Sequence, residues 1–183
     1  MPSHVLVISG LPATGKTTAA RRLSESLSWP LLAKDDFKER LFDTVGSTDA
    51  FSSRRLSLAS YALMFDSARQ LAEAGVHFIL EGNFRWAETG RQFESLYERV
   101  QFTQLWCTAP NEVLVERLRQ RAHTASRHPG HRDAENLATL VAELSHAQSA
   151  LPLPGDTVTF DSVNGSAGCL DALLEKLNDG VSG

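Results

Sequence analysis

The segment from Gly10 to Thr17 reads Gly-Leu-Pro-Ala-Thr-Gly-Lys-Thr and fits the pattern G-x-x-x-x-G-K-[ST]. An apolar run at residues 5–8 precedes it, and the residues after Thr17 continue with helical spacing. A glycine-rich loop between a strand and a helix turns its backbone N–H groups inward, where they bind phosphate at the positive end of the helix. This context is typical of a phosphate-binding P-loop and predicts nucleotide binding.

The residues of this loop have separate predicted roles. Lys16 places a positive charge where the β- and γ-phosphates of a bound nucleotide lie. Thr17 offers a hydroxyl at the position that ligates Mg²⁺ in such loops. The other predicted nucleotide-binding positions are Gly10, Ala13, Thr14, Gly15 and Thr18.

The composition restricts the classes of partner. The chain has 183 residues, of which 42% are hydrophobic, and no stretch has the composition of a long linker, so residues 1–183 are predicted to form a single domain. A formal net charge of −4 gives no global basic field, so a long nucleic acid is not an expected partner. Cys107 and Cys169 lack a CxxC spacing, which favours reduced thiols over a disulfide framework or a zinc site.

The chain also lacks the patterns of membrane targeting. No signal-like segment opens it, and no window has the run of about 18 apolar residues that spans a bilayer. The expected location is therefore the cytoplasm, with no membrane partner.

Short apolar runs alternate with longer amphipathic segments along the chain, a pattern typical of a parallel sheet with helices on both faces. Strands are predicted at residues 4–9, 31–33, 77–81, 102–108 and 157–161. Helices are predicted from the P-loop to about 28, from near 36, and at 53–74, 87–100, 111–120, 133–150 and 167–177. The fold class is therefore α/β, with three layers in the order α/β/α.

Two adjacent acids, Asp35 and Asp36, follow the second predicted strand, at the sheet edge where ligands of open parallel sheets bind. If Asp36 is the N-cap of the next helix, Glu39 falls at the third helical position and completes a capping box. Asp35 then faces the pocket, where its carboxylate would accept a proton from an attacking hydroxyl or hold a metal-bound water. The opposite assignment, with Asp36 as the functional acid, stays open at this point.

Glu81 ends the third predicted strand, and Gly82 and Asn83 follow it. A carboxylate after so apolar a strand is typical of a Walker-B-like acid, which lies beside the P-loop. We therefore predict that Glu81 holds a Mg²⁺-bound water or contacts the substrate. Asn83 and Arg85, in the loop that follows, are predicted substrate contacts.

Three arginines end the helix after the fourth predicted strand. Arg117 and Arg121 are four residues apart and share one helix face, so this pair can reach the nucleotide together. Arg119 points elsewhere and is interpreted as solvated. Negative charge develops on a migrating phosphoryl group, and arginine side chains that reach it can neutralise that charge.

A lid is predicted at about residues 122–132, where Pro129-Gly130 interrupts the helical pattern. Arg127 is its predicted catalytic residue, since an arginine on a closing lid neutralises the phosphoryl group and excludes water. No cysteine or set of acids near His128 and His131 completes a metal site, so these histidines are not predicted metal ligands.

Basic residues near the expected acceptor site suggest an acceptor that bears a phosphate or carboxylate. Lys38 follows the two acids, while Arg54 and Arg55 open the helix predicted at 53–74. A cation at a helix N-terminus is unfavourable by about 0.3 kcal/mol, and a bound anion would offset that cost. Lys38, Arg54 and Arg85 are therefore predicted substrate contacts.

Together, these motifs resemble the P-loop kinases of the nucleoside-monophosphate-kinase-like group. Within that group, the chain is most similar to the small kinases that include zeta-type toxins, chloramphenicol phosphotransferase, shikimate kinase and gluconate kinase. The likeness spans almost the whole chain. It is carried by residues 10–18, 35–38 and 81–83 and by Arg117, Arg121 and Arg127.

The resemblance implies a P-loop NTPase fold with a five-stranded sheet in the order 2-3-1-4-5. Residues 35–38 match the D-x-F-[RK] spacing of such kinases, which implies that Asp35 takes the proton of the acceptor hydroxyl. The resemblance also implies that Arg117 packs on the adenine and Arg121 contacts phosphate. Residues 161–164, with Ser162 among them, would border the adenine.

The sequence therefore predicts an ATP- and Mg²⁺-dependent phosphotransferase that transfers the γ-phosphate to a hydroxyl of a small molecule. Two alternatives stay open: a nucleotide or polynucleotide 5′-end as the acceptor, and a nucleotide-binding switch or NTPase that has no acceptor. Residues 127–131 match no single substrate class, so the sequence does not identify the acceptor.

Overall fold

Five short strands form one parallel sheet in the computed structural model, which describes residues 2–124, 128–144, 149–165 and 167–181. The strands lie in the order β2-β3-β1-β4-β5, and every neighbouring pair is parallel. Their bounds are Ser3–Gly10 for β1, Leu31–Ala33 for β2, Phe78–Glu81 for β3, Val100–Thr108 for β4 and Asp156–Asp161 for β5.

Seven α-helices and one 3₁₀ turn connect the strands within the described ranges. The turn, Pro129–His131, lies between α5 and α6. The helices are α1 (Lys16–Leu27), α2 (Lys34–Val45), α3 (Ala50–Glu73), α4 (Trp86–Glu94), α5 (Asn111–Ala122), α6 (Asp133–Glu143) and α7 (Ala167–Val181). No helix in the described ranges combines the length and the apolar character that crossing a bilayer would require.

The side chains of β1 alternate between two apolar layers, as the period of a strand requires. Val7 packs in a cluster with Phe65 of α3, whereas Ile8 packs in a second cluster with Leu23 of α1 and Leu173 of α7. Helices therefore cover both faces of the sheet, and strands buried on both faces are expected to be almost continuously apolar. This three-layer α/β/α arrangement is the predicted one.

The register of the sheet places three chain segments at its carboxyl edge. Glu81, the last residue of β3, is level with Ile8 of β1 on one side and with Ala33 of β2 on the other. Neighbouring strands are about 4.8 Å apart, so the segments that follow these three residues start close together. On the other side of β1, Gly10 is level with Cys107 of β4.

The predicted strands and their order 2-3-1-4-5 are confirmed, but two helix starts are wrong. Helix α2 begins at Lys34 with Ala33 as its N-cap, so Asp36 is not a cap and forms no capping box with Glu39. The reason is that β2 passes directly into the helix without an intervening turn. Both Asp35 and Asp36 lie in its first turn, where the helix dipole favours acids.

The long helix starts earlier than predicted, because Asp49 is a stronger cap than the residues after it. Its side chain accepts a hydrogen bond of 2.7 Å from the Ser52 backbone N–H, and the Ser52 hydroxyl bonds back to the Asp49 N–H. Arg54 and Arg55 are therefore past the first turn of α3, and the argument for an anion at its N-terminus does not hold.

The remaining differences concern helix ends. Helix α4 ends at Glu94, although the helix was predicted to continue to residue 100. Val100 is instead the first residue of β4. Helix α6 stops at Glu143, and residues 145–148 of the predicted helix lie outside the described residues. The predicted loop at 122–132 contains the 3₁₀ turn.

Candidate active site

Glycine geometry forms the P-loop between β1 and α1. Gly10 has φ of +146°, and a Cβ at this position would lie 2.2 Å from the Cys107 carbonyl oxygen. Gly15, the N-cap of α1, has φ of +82°, and Ala13 adopts a positive φ of 66° that L-residues seldom adopt. The loop is therefore wound tightly against β4, at the start of a helix whose positive end attracts phosphate.

Side chains close the loop on itself. The Thr14 hydroxyl donates to the Leu11 carbonyl oxygen at 2.8 Å, and Lys16 Nζ donates to the same oxygen at 3.1 Å. Lys16 is only 7% exposed. The ammonium group is thus held over the loop, where phosphates bind in P-loop proteins.

Lys16 and Glu81 are the two buried charged groups of the site, and their charges interact without an ion-pair contact. Glu81 is 3% exposed, and burial raises the pKa of its carboxyl while the Lys16 charge opposes that rise. Burial likewise lowers the pKa of Lys16, and the Glu81 and Asp35 carboxylates oppose that fall. Each group therefore depends on the other for its charge, and Asp35 is close enough to contribute.

The donors around Glu81 fit a divalent cation that prefers oxygen. The Thr17 hydroxyl hydrogen-bonds the Glu81 carboxylate and favours its charged form. A carboxylate and a hydroxyl are hard oxygen ligands, which suit Mg²⁺ when phosphate oxygens and waters complete the shell. The described residues contain no group of three or more His, Cys, Asp or Glu that would form a metal cage without a nucleotide.

Arg117 links the P-loop to the segment after β5. Its guanidinium donates to the Ala13 carbonyl oxygen at 3.1 Å and to the Ser162 hydroxyl at 2.8 Å. The Ser162 backbone N–H donates in turn to the Thr108 carbonyl oxygen at 2.9 Å. These contacts bring together Ala13, Arg117 and Ser162, three of the predicted nucleotide-binding residues.

An open cleft of about 940 Å³ lies over this assembly, enough for a nucleotide. Arg121 lines it and is near enough to Lys16 to lower the lysine's pKa, whereas Arg119 is exposed. The predicted pair on one face of α5 thus reaches one cleft. The other predicted residues that line it are Ala13, Gly15, Lys16, Thr17, Thr18 and Ser162. Residues that the sequence did not indicate also line it, among them Gln120, Thr124, Phe160 and Gly165.

Asp35 lies two residues beyond the end of β2, close enough to Lys16 to act on the lysine's pKa. Its carboxylate is 3.4 Å from Lys34 Nζ and is partly exposed, while Asp36 is an exposed neighbour whose charge interacts with Arg21. Only Asp35 of the two acids contributes to the electrostatics of Lys16. The geometry therefore favours Asp35 over Asp36 as the acid of the site.

Lys34 and Tyr61 border Asp35, and neither is among the site residues predicted from the sequence. Lys34 Nζ lies 5.8 Å from the centre of the Tyr61 ring, and the Tyr61 hydroxyl donates to the Asn83 carbonyl oxygen at 3.0 Å. Helix α3 and the loop after β3 are thereby joined beside the site. The position of Lys34 directly before Asp35 was the one available signal.

The predicted acceptor-binding cations differ in burial and in partner. Lys38 is buried in α2, and Arg54 is exposed on α3. Arg85 is exposed and donates to a Glu143 carboxylate oxygen of α6 at 2.5 Å. Arg127 lies outside the described residues.

Residues 5–146 of the chain match the family model described as an AAA domain. This match covers more than half of the chain and contains the P-loop, Asp35, Glu81, Arg117 and Arg121. A search of curated proteins found no match.

Solved structures with the same fold include kinases. A candidate kinase from Chloroflexus aurantiacus J-10-fl is 30% identical, with a TM-score of 0.86 and 98% of each chain covered. A sugar kinase from Janibacter sp. HTCC2649 is 20% identical, with a TM-score of 0.57 over 97% of this chain and 95% of that one. A gluconokinase from Sinorhizobium meliloti 1021 is 17% identical, with a TM-score of 0.52 over 97% and 96%.

Proposed function

The chain belongs to the AAA domain family, and from that premise we propose that it is an ATP- and Mg²⁺-dependent phosphotransferase acting on a hydroxyl of a small molecule. One observation carries the proposal: Asp35 and Glu81 converge on the P-loop lysine at one edge of the sheet. An NTPase or switch needs the lysine and an acid that helps to hold the metal, the role proposed for Glu81. A second carboxylate, that of Asp35, is suited to an acceptor hydroxyl.

In the proposed reaction, the P-loop and Lys16 hold the β- and γ-phosphates, and Arg117 and Ser162 border the base. Thr17 and Glu81 would hold Mg²⁺, which when bound neutralises charge on the phosphate oxygens. Arg121 lies in the cleft near Lys16, where it would stabilise the migrating phosphoryl group, and Arg127 is the proposed lid arginine.

Asp35 aligns the acceptor hydroxyl and takes its proton as the oxygen attacks the γ-phosphorus. A new oxygen–phosphorus bond forms, the bond to the β–γ bridging oxygen breaks, and ADP leaves with that electron pair. Asp35 lies near the positive charges of Lys34 and Lys16, which favour its ionised form. The ionised carboxylate is the form that accepts a proton.

We propose a polyhydroxy compound as the acceptor, because the similar structures include those named as a sugar kinase and a gluconokinase. Lys38 is buried and Arg85 is paired with Glu143, which does not favour a strongly anionic acceptor. Neutral sugars and antibiotic alcohols therefore come first in a screen.

The test is ATP-dependent ADP release with Mg²⁺, screened across sugars, nucleosides, nucleotides, 5′-hydroxyl RNA and antibiotic alcohols, with product mass to identify phosphate transfer. We expect an Asp35→Asn variant to lower the acceptor-dependent kcat by roughly 10²-fold or more, because positioned general bases contribute about 10²–10⁴-fold. Asp36→Asn is the matched control and should stay near the wild-type rate. ADP release that is indifferent to every acceptor and to Asp35 would show an NTPase instead.

A further inference from the structure

His131 of the 3₁₀ turn is buried against α2, with 8% of its surface exposed. Its Nε2 lies 2.6 Å from a Glu39 carboxylate oxygen, and its Nδ1 lies 3.8 Å from Oδ2 of Asp35. Both ring nitrogens therefore face carboxylates on the same helix. The Glu39 contact is a hydrogen bond and the Asp35 contact is an ion-pair distance, so the two carboxylates together attract the charged imidazolium.

His128, three residues earlier, provides a contrast within the same turn. Its Nδ1 accepts a hydrogen bond of 3.1 Å from the Gly130 backbone N–H, and its Nε2 lies 3.0 Å from Asp43 Oδ1. A neutral ring, protonated on Nε2 alone, satisfies both contacts. His128 thus fastens the turn to α2 without contact to Asp35.

The surroundings of Asp35 show what His131 adds. One carboxylate oxygen of Asp35 is 3.4 Å from Lys34 Nζ, and the other is 3.8 Å from His131 Nδ1. Lys34 thus approaches from the helix of Asp35 itself, and His131 approaches from the predicted lid, beside the more buried charge of Lys16. Among the described contacts, the titratable groups that face the His131 ring are Asp35 and Glu39 from α2 and His128 from its own turn, with the two histidine ring centres 6.1 Å apart.

We propose that His131 is a positioning residue for phosphoryl transfer: anchored on Glu39, it directs its second ring nitrogen at Asp35 and holds that carboxylate charged and oriented. This inference rests on the proposed function, in which Asp35 is the base. It gives the lid turn a part in catalysis besides water exclusion, because the base is complete only when the turn is docked on α2.

The kinetic test compares two glutamine variants. In His131→Gln the amide reaches Glu39 in place of Nε2 but brings no charge toward Asp35. In His128→Gln, the matched control on the same turn, the amide nitrogen keeps the contact with Asp43 that docks the turn on α2. We expect His131→Gln to lower the acceptor-dependent kcat roughly tenfold with the KM for ATP unchanged, and His128→Gln to stay near wild type. The acid limb of the kcat profile should move up by about one pH unit in His131→Gln, because an unshielded Asp35 is protonated more easily.

A second variant guards against misfolding at the buried ring. Glu39→Gln keeps a hydrogen-bond acceptor for Nε2 and removes only the charge that favours the imidazolium. Histidine NMR of ¹⁵N-labelled protein supplies a readout that needs no acceptor. The pKa of His131 should fall by about one unit in Asp35→Asn and in Glu39→Gln, while Asp43→Asn should leave it unchanged.

The outcomes separate the two proposals. If wild-type protein transfers phosphate while His131→Gln matches His128→Gln in kcat and in its acid limb, the positioning role is wrong and the proposed function stands. A His131 pKa that does not respond to Asp35→Asn overturns the role as well. If no acceptor stimulates the wild-type enzyme, the proposed function fails and the positioning role fails with it, even where the NMR shifts appear.

Discussion

The two sides of the site are built in different ways. On the nucleotide side, consecutive residues from Gly10 to Thr17 form the phosphate loop, and backbone conformation does most of the shaping. On the acceptor side, Asp35 of α2, Tyr61 of α3 and His131 of the 3₁₀ turn meet from separate parts of the chain. In the proposed reaction, a local loop binds the phosphates of ATP, which are the same in every such kinase. A surface assembled from separate elements would bind the acceptor, which differs from one kinase to another.

Burial follows the same division. Lys16 and Glu81 are almost completely buried, so their charges act in a medium that screens them little. The Asp35 side chain is 40% exposed and that of Arg85 is 54% exposed, so water screens them strongly. We therefore expect substitutions on the nucleotide side to lower every ATP-dependent rate, and those on the acceptor side to lower only the acceptor-dependent rate.

The largest effect is expected from Lys16→Met. Removing the ammonium takes away the charge that the loop aims at the phosphates, so kcat/KM for ATP should fall by roughly 10²–10³-fold. The loss should appear both with and without acceptor in ADP-release assays, since the loop aims the lysine at the phosphates of the nucleotide. Asp35→Asn, in contrast, should affect only the acceptor-dependent part.

The control for this comparison is Lys176→Met, which removes an exposed lysine paired with Asp156 at 2.5 Å. Its rates should match those of the wild type. If Lys16→Met reduced only the acceptor-dependent rate, the separation of the site into two independent sides would be wrong.

A smaller effect is expected from Arg117→Ala. The substitution removes two charge-assisted hydrogen bonds, to the Ala13 carbonyl and to the Ser162 hydroxyl, and leaves the nucleotide loops without their link. ATP affinity measured by calorimetry should weaken roughly tenfold, the equivalent of one such bond. Arg119→Ala, on the exposed face of the same helix, should bind ATP like the wild type, and equal losses in both variants would contradict the role of Arg117.

The nucleotide side could be predicted from the sequence because its signals are local. The P-loop lies within eight consecutive residues, and Glu81 and Asp35 each follow an apolar strand directly. Because parallel strands end at one edge, the strand order was enough to bring these residues together. The four-residue spacing of Arg117 and Arg121 likewise placed both in one cleft.

The acceptor side could not be predicted in this way, because its contacts join distant residues. His131 and Glu39 are 92 positions apart, and the ion pair of Arg85 with Glu143 spans 58. Periodicity assigns each of these side chains to an element but does not say which elements meet. The start of α2 was missed for a related reason: Asp36 has the chemistry of an N-cap, but the strand continues directly into the helix at Lys34.

The smallest effect, at the rim of the nucleotide side, is expected from Asp161→Ala. The Asp161 carboxylate accepts the backbone N–H groups of Val163 and Asn164 at 2.8 and 3.1 Å, and these bonds lower its pKa below the usual 3.8. Since the folded-state pKa is the lower one, the stabilisation is present above pH 3.8 and is lost as the pH falls through the folded value. Asp161→Ala should therefore lower Tm at pH 7, with a difference that shrinks under acid.

Asp156, at the other end of β5, is the matched control for that measurement. The pKa of Asp156 is also lowered, but by the hydrogen bond and charge of Lys176, so the Tm difference caused by Asp156→Ala should shrink in 1 M salt. The difference caused by Asp161→Ala should persist in salt, because backbone N–H bonds are short-range. Only Asp161→Ala should weaken ATP binding, by roughly twofold, since Ser162 follows it in the turn that Arg117 contacts. Equal salt sensitivity in the two variants would mean that charge, and not backbone hydrogen bonding, holds the turn after β5. The nucleotide side would then not be shaped by backbone conformation at this position.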